Sequence, residues 1–142
     1  MKILFVLGFL IPVMLFSQRN KVGKQLNIFT LGDSNGTFLY SCPKQLQLVL
    51  PDATIFNISK SGSTIGFVNN GDSKLNSLLV IADNLKKVVD FTKDGPFDFI
   101  VLELGTNEGK AVFSSRQKEV PANLEKLIRK INKCNYSTIA NI

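Results

Sequence analysis

The alternation of two apolar patterns along the chain limits its fold more than any other feature. Runs rich in Val, Ile, Leu and Phe alternate with segments whose apolar residues recur at three- and four-residue spacing, as strands alternate with amphipathic helices. This order builds a parallel sheet with helices on both of its faces. The sequence therefore predicts an α/β fold with strands at Gln25–Leu31, Ala53–Ile58 and Phe97–Leu104, and the start of a fourth strand at Ser137–Ile142.

The segments around these strands carry their own signals. Ala53–Ile58 contains no charged residue, which predicts a strand covered on both faces. Ser59–Asp72 is rich in Gly, Ser and Asn and is predicted to be a loop. Proline, glycine and capping residues bound three predicted helices. The bounding residues are Ser41-Cys42-Pro43 and Pro51-Asp52 for the first helix, Ser73 and Gly95-Pro96 for the second, and Val120-Pro121 and Asn135 for the third.

Composition places the chain among single-domain globular proteins. Its 142 residues are 44% hydrophobic, which suffices for about one domain with a buried core. The 17 Lys and Arg residues outnumber the 11 Asp and Glu residues and give a net charge of +6. Because the basic residues are scattered and not interleaved with aromatic residues, we expect a solvated basic surface and no nucleic-acid partner.

The N-terminus has the three parts of a secretory signal peptide. Lys2 precedes the uncharged apolar run Ile3–Phe16, and the small residue Ser17 precedes a polar boundary. We therefore expect a signal peptide at residues 1–17, a domain at residues 18–142, and a secreted or periplasmic protein. An uncleaved anchor is the alternative. The run is shorter than the roughly 20 residues that cross a bilayer, so no stable membrane span is expected.

Cys42 and Cys134 are the only cysteines, and they are predicted not to pair. The element order puts Cys42 near the start of the first helix and Cys134 near the end of the last, at opposite ends of the sheet. A helix of a dozen or so residues separates such points by roughly 20 Å, which is far beyond the reach of a disulfide.

Polar, glycine-containing segments follow the three complete strands. They are Gly32-Asp33-Ser34, the segment Asn57–Gly62 and Gly105–Glu108. Ligands of open parallel sheets bind beyond the carboxyl ends of the strands, so we expect these segments to converge there. A serine held in a sharp turn at that position, beside outward-pointing backbone N–H groups, suits acyl transfer.

A serine nucleophile needs hydrogen-bond donors for the negative charge that develops on the attacked carbonyl oxygen. The candidate donors are the backbone N–H groups of Ser34 and Gly62 and the side-chain amide of Asn107. Each residue also has a purely structural explanation. Ser34 lies in ordinary turn chemistry, Gly62 can serve a positive φ, and Asn107 can cap the turn at Glu108. The coincidence of all three at one rim favours the chemical interpretation.

The three segments together resemble the first three sequence blocks of the SGNH (GDSL-type) esterase and lipase superfamily. The resemblance extends from about Lys24 to the end of the chain, and it implies a flavodoxin-like three-layer sandwich, here incomplete. It also implies that Ser34 is the nucleophile, that Gly62 and Asn107 complete the oxyanion hole, and that no metal or organic cofactor is needed. The matching residues are Gly32-Asp33-Ser34, then Asn57-x-Ser59-x-Ser61-Gly62-x-Thr64, then Gly105-Thr106-Asn107-Glu108.

The chain departs from the pattern of that superfamily in three places. Asn35 stands where a β-branched residue is common, and Glu108 stands where the third block usually has Asp. The superfamily also carries a histidine base in a C-terminal Asp-x-x-His segment, whereas this chain has no histidine. Without a base the chain alone is expected to be nearly inert. Asp33, Glu103 and Glu108 are poor substitutes, because Asp33 is expected to point away along the turn and nothing suggests a raised pKa.

Two interpretations of the missing histidine stay open. In the first, the sequence is the N-terminal part of an esterase that removes short acyl groups, such as acetyl groups from carbohydrate. The partly formed last strand favours it, because such a strand would expose unpaired backbone. In the second, the chain is a catalytically silent module that binds acylated sugars. An unrelated flavodoxin-like domain that holds a phosphate at the Ser34 loop is a third, weaker alternative. In the first two cases the expected ligand is a small-molecule or carbohydrate ester.

Overall fold

The structure, a computed structural model, describes residues 25–89 and 97–139. Within them lie three parallel strands in the spatial order β2-β1-β3, and three α-helices. This confirms the predicted α/β fold with a parallel sheet. The elements are β1 (Asn27–Gly32), α1 (Cys42–Val49), β2 (Thr54–Asn57), α2 (Ser77–Val89), β3 (Phe99–Glu103) and α3 (Val120–Ile139), with 3-10 helices at Ser34–Gly36, Ser73–Leu75, Asn107–Gly109 and Ala111–Glu119.

The pairing register decides which side chains share a face of the sheet. Phe29 of β1 lies opposite Phe56 of β2 and Ile100 of β3. Because side chains alternate along a strand, these three point to one face, and their neighbours Ile28, Ile55 and Phe99 point to the other. β1 has a neighbouring strand on each side, and all six of its residues are buried.

The hydrophobic core lies between the first of these faces and the helices α2 and α3. Both helices were predicted from apolar residues at three- and four-residue spacing, and that stripe packs against the sheet. On the opposite face, α1 lines a small cavity together with Ile55 and Asn57 of β2. Helices therefore flank both faces, as in an incomplete flavodoxin-like sandwich. The buried core residues are Phe29, Leu31, Ile65, Ile81, Leu85, Phe97, Leu127 and Ile131.

Two of the predictions about strands are wrong. β2 has half-exposed side chains and is not covered on both faces, because among residues 25–89 and 97–139 it pairs with β1 alone and is an edge strand. The fourth strand predicted at Ser137–Ile142 is also not formed over residues 137–139, because α3 continues through Ile139. No glycine or proline follows Asn135 within α3, so no residue there with a very low helix propensity ends the helix. Residues 140–142 lie outside the described residues.

Some predictions concern residues outside the described ranges, among them the signal peptide at residues 1–17 and the helix end at Gly95-Pro96. Among residues 25–89 and 97–139, no helix has both the length and the apolar character that crossing a membrane requires. Cys42 lies at the start of α1 and Cys134 lies in α3, and no disulfide joins them.

Candidate active site

The candidate nucleophile lies on the turn that follows the central strand. β1 ends at Gly32, and Asp33 caps a one-turn 3-10 helix by accepting the Asn35 N–H at 2.9 Å. The Ser34 carbonyl closes the turn by accepting the N–H of Thr37 at 3.0 Å and its hydroxyl at 2.7 Å. Ser34 itself is half-buried. Within the described part of the chain, neither its backbone N–H nor its hydroxyl makes a hydrogen bond, so both can contact a ligand.

Two glycines let the second predicted segment pack directly onto this turn. A Cβ atom on Gly36 would lie 2.2 Å from the Ser59 hydroxyl, and one on Gly32 would lie 2.8 Å from the same atom. Real Cβ atoms do not approach so closely, so only glycine fits at these positions. The contact is fixed by two hydrogen bonds. The Lys60 N–H donates to the Gly32 carbonyl at 3.1 Å, and the Asn57 amide donates to the Gly36 carbonyl at 2.9 Å.

The third predicted segment closes the arrangement from the end of β3. The Asn107 side-chain amide donates to the Ser63 carbonyl at 2.9 Å, which joins it to the residue directly after Gly62. The hydrogen-bond partner of the Asn107 side chain thus lies directly after the second segment and not in its own turn, so Asn107 does more than cap the turn at Glu108. The Asn35 amide meanwhile donates to the Thr106 hydroxyl at 3.2 Å and ties the serine turn to the same segment.

The structure therefore brings the three predicted segments together at the carboxyl ends of β1, β2 and β3. Gly62 has a φ of 85°, so the conformational explanation for this glycine holds. Its carbonyl accepts the Asn69 amide at 2.7 Å, while its N–H makes no hydrogen bond within the described residues. The Asn107 amide carries a second hydrogen beside the one given to Ser63. The roles of Ser34, Gly62 and Asn107 in catalysis stay a prediction.

The side chains that hold the loop around Phe67 in place were not apparent from the sequence. Phe67 is buried against Phe113, with ring centroids 4.9 Å apart, and the Arg116 guanidinium lies 4.5 Å above the Phe67 ring. Phe113 and Arg116 belong to the 3-10 helix Ala111–Glu119. Aromatic and cation–π contacts of this kind fix a loop that has few other apolar residues.

Two carboxyl groups beside the site differ from what the sequence suggested. Asp33 and Glu108 are both buried, although carboxylates ordinarily face water. Burial raises the pKa of Glu108, and the nearby Asp33 carboxyl adds to the rise, while the Ile65 N–H that donates to its carboxylate lowers it. The expectation that no carboxyl here has a raised pKa is therefore wrong for Glu108.

A cavity of about 460 Å³ lies beside the second segment, between it and α2. It includes Ser63 but not Ser34, so it adjoins the candidate site without containing the nucleophile. Its basic residues Lys60, Lys74 and Lys87 are offset by Asp83 in the lining and by Asp72, which pairs with Lys60 at 3.3 Å. Among the residues that the structure describes, no group of three or more His, Cys, Asp or Glu side chains could hold a metal ion.

The fold is similar to that of two solved bacterial esterases. One is a carbohydrate acetylesterase family member from Sinorhizobium meliloti, with a TM-score of 0.58 and 21% sequence identity over 74% of this chain and 53% of the other. The second is an aryl esterase from M. smegmatis in an inhibitor-bound form, with a TM-score of 0.57 and 19% identity over 74% of this chain and 54% of the other. The chain thus spans about half the length of these proteins. No protein-family model and no curated protein sequence matches it.

Proposed function

We propose that this chain carries the nucleophile and the oxyanion hole of an SGNH-type serine esterase that hydrolyses short-chain acyl esters. The observation that carries the proposal is the hydrogen-bonded convergence of the turns that hold Ser34, Gly62 and Asn107. These residues match three separate blocks of the superfamily pattern, and they are 28 or more positions apart in the sequence. The similarity in fold to an acetylesterase and an aryl esterase supports the same reaction class.

In the proposed reaction the Ser34 hydroxyl attacks the ester carbonyl carbon. The negative charge that forms on the carbonyl oxygen is stabilised by the N–H groups of Ser34 and Gly62 and by the side-chain amide of Asn107. Donors that are already held in place cost little reorganisation when the charge appears. Acetyl esters on carbohydrate are the substrate class we favour. Because residues 1–17 have the pattern of a signal peptide, we also propose that the protein acts outside the cytoplasm.

The proposed mechanism also needs a base to take the proton from Ser34. None of the 142 residues is a histidine, and removing the histidine of a serine protease costs on the order of a millionfold in turnover. We therefore assign to this chain two of the three parts of the machinery, the nucleophile and the oxyanion donors. The base has to come from elsewhere.

Chemical rescue with imidazole tests the proposal on the chain as it exists. Hydrolysis of 4-nitrophenyl acetate is measured with imidazole, with and without the protein, and imidazole in solution replaces the missing base. We expect the protein to increase the rate above that of imidazole alone, and we expect Ser34→Ala to abolish the increase. Ser61→Ala is the matched control, since Ser61 is an exposed serine on the adjacent segment. Equal rates for the wild type and Ser34→Ala contradict the proposal.

The absence of histidine specifically favours a second candidate function, a silent module that binds acylated sugars without cleaving them. The two candidates separate in the same experiment if an acetylated sugar replaces the aryl ester. Saturable binding with no acetate release, even in the presence of imidazole, supports the binding module. Acetate release that depends on Ser34 supports the esterase.

A further inference from the structure

The cavity between the second segment and α2 adjoins the candidate active site but has no part in the proposed reaction. Its volume of about 460 Å³ lies within the range of about 300–1,000 Å³ that is usual for small-molecule pockets. Lys60 and Ser63 line it, and both lie within two positions of Gly62. The second segment therefore forms part of the cavity wall and also carries a proposed oxyanion donor, so a ligand in the cavity lies next to the candidate site.

Three lysines from different parts of the chain meet at this cavity. Lys60 belongs to the second segment, Lys74 to the 3-10 helix before α2, and Lys87 to α2 itself. Within the described part of the chain, Lys60 pairs with Asp72 at 3.3 Å, whereas the ammonium groups of Lys74 and Lys87 form no ion pair. Asp83 is the one carboxylate among the described residues of the lining. Three lysines thus face two carboxylates, and the excess positive charge attracts a negatively charged ligand.

The rest of the lining suits a ligand that also carries hydroxyl groups. An ionised Asp83 only accepts hydrogen bonds, so it binds a hydroxyl and repels a second anionic group. The Asn84 amide and the Ser77 hydroxyl can both donate and accept. Apolar surface is added by Leu31, Ile58 and Val80.

The composition of the lining also distinguishes between classes of anionic ligand. No aromatic residue is among those that the structure describes around the cavity, so a nucleobase would lack a stacking surface there. A simple inorganic anion would leave the carboxylate, the amide and the apolar wall without a partner. A sugar with one anionic group has the charge, the hydroxyl groups and the C–H faces that match all of these residues.

We propose that the cavity binds an acidic sugar, whose anionic group is held by Lys74 and Lys87 and whose hydroxyl groups are held by Asp83 and Asn84. An ammonium group forms a charge-assisted hydrogen bond with a carboxylate or a phosphate, and such a bond is stronger than a neutral one. The acetyl esters cleaved at the neighbouring site are then those on acidic saccharides. This substrate class rests on the proposed esterase function, whereas the binding of the sugar does not.

NMR titration of the whole protein tests the proposal, with the backbone amide shifts followed as a sugar is added at about 0.15 M salt. D-glucuronate and D-glucose are a matched pair, because a carboxylate in the first replaces a hydroxymethyl group in the second. Glucose 6-phosphate carries a phosphate at the same position. We expect the largest shifts at the residues that line the cavity, and we expect an anionic sugar to bind about fivefold more tightly than glucose.

Each result of these titrations decides for or against the proposal. Tighter binding of either anionic sugar than of glucose supports it and identifies the preferred anionic group. Anionic sugars that do not bind, that bind no more tightly than glucose, or that shift only residues outside the cavity overturn it.

Substitution of the lysines tests which residues hold the anionic group. Lys74→Gln and Lys87→Gln should each weaken the binding of the anionic sugar by about threefold, and the double variant by roughly tenfold. Lys86→Gln is the matched control, since Lys86 is exposed on α2 beside Lys87 but does not line the cavity. It removes the same charge and should bind the sugar as the wild type does. A double variant that binds as tightly as the wild type overturns the proposal.

The titrations are independent of the proposed esterase function, because no ester takes part in them. Lys74 and Lys87 are exposed, so their replacement should leave the fold intact, and thermal unfolding of the variants checks this. If the anionic sugar binds and the imidazole assay fails, the cavity is a sugar site without a neighbouring esterase. If the assay succeeds and no sugar binds, the esterase function stands and the acidic-sugar site is refuted.

Discussion

β1 and β3 are neighbouring parallel strands, but their burial is the reverse of what their sequences suggest. β3 is the more apolar, with Phe, Ile, Val and Leu in four of its five positions, whereas β1 also contains Asn, Thr and Gly. Every residue of β1 is nevertheless buried, while Phe99 of β3 is 58% exposed. β1 lies in the middle of the sheet, and among the described residues β3 pairs on one side only.

The difference shows that position in the sheet, and not hydrophobicity, decides which strand is covered. Beside β3 lies an apolar groove of about 260 Å³, lined by Ile100, Leu102, Ile128 and Ile131. Every residue of β1, by contrast, is buried, and the structure describes a strand on each side of it. The two sides of the candidate site differ in the same way. Ser34 follows the fully buried strand β1, whereas Asn107 follows the partly exposed strand β3.

Truncation of one aromatic ring in each strand tests the contrast most strongly. Phe29→Ala should cost about 3–5 kcal/mol of unfolding free energy, because Phe29 is 0% exposed and its loss leaves a cavity in the core. Phe99→Ala removes the same atoms from a mostly exposed position and should cost about 1 kcal/mol or less. Urea unfolding of both variants measures the difference. Similar losses for the two would break the comparison.

Substitution of two glycines in the turns after β1 and β3 should change the stability less than truncation of Phe29. Gly36→Ala, in the 3-10 helix that follows β1, places a Cβ atom against Ser59 and should cost about 1–3 kcal/mol through overpacking. Gly109→Ala after β3 places a Cβ atom where no atom lies within 4 Å, so it should be nearly neutral. Thermal unfolding of both variants gives the comparison. Ser59→Gly should partly restore Gly36→Ala, and a rescue that fails would show that the clash has another origin.

The smallest expected effect concerns the two asparagines that join the turns. Asn107→Ala should cost about 1 kcal/mol, because it leaves the Ser63 carbonyl without its buried partner. Asn35→Ala breaks an exposed hydrogen bond to Thr106 and should cost less, about 0.5 kcal/mol. Urea unfolding at matched pH separates them. If Asn35→Ala lowers the unfolding free energy more than Asn107→Ala does, the exposed hydrogen bond to Thr106 contributes more to stability than the buried one to Ser63.

The fold was largely predictable, because its signals are local. The apolar spacing of α2 and α3 and the glycine that ends β1 depend on residues close together in the sequence. The strand order was not readable in this way, since it depends on which strands pair. For that reason the edge position of β2 was missed, although its sequence was identified as a strand. The continuation of α3 through Ile139 was missed because β-branched residues there also suit a strand.

At the candidate site, the polar turns could be predicted and their supports could not. Gly32-Asp33-Ser34 and Asn107 stand out because they follow apolar strands directly. The burial of Asp33 and Glu108 left no trace in the sequence, since carboxylates ordinarily face water. Phe113 covers the loop from a segment that shows no apolar periodicity. Such supports arise from contacts between distant parts of the chain, which a single sequence does not reveal.

The hydrogen bond from Asn107 to Ser63 joins residues 44 positions apart, and that from Asn35 to Thr106 joins residues 71 positions apart. Proteins are synthesised from the N-terminus, so a nascent polypeptide carries Ser34 long before it carries Asn107. Contacts of such large sequence separation form late, after the loops between them have closed. An unfinished chain on the ribosome therefore holds its serine without the asparagine partner, and the site is assembled only when translation has passed the third strand.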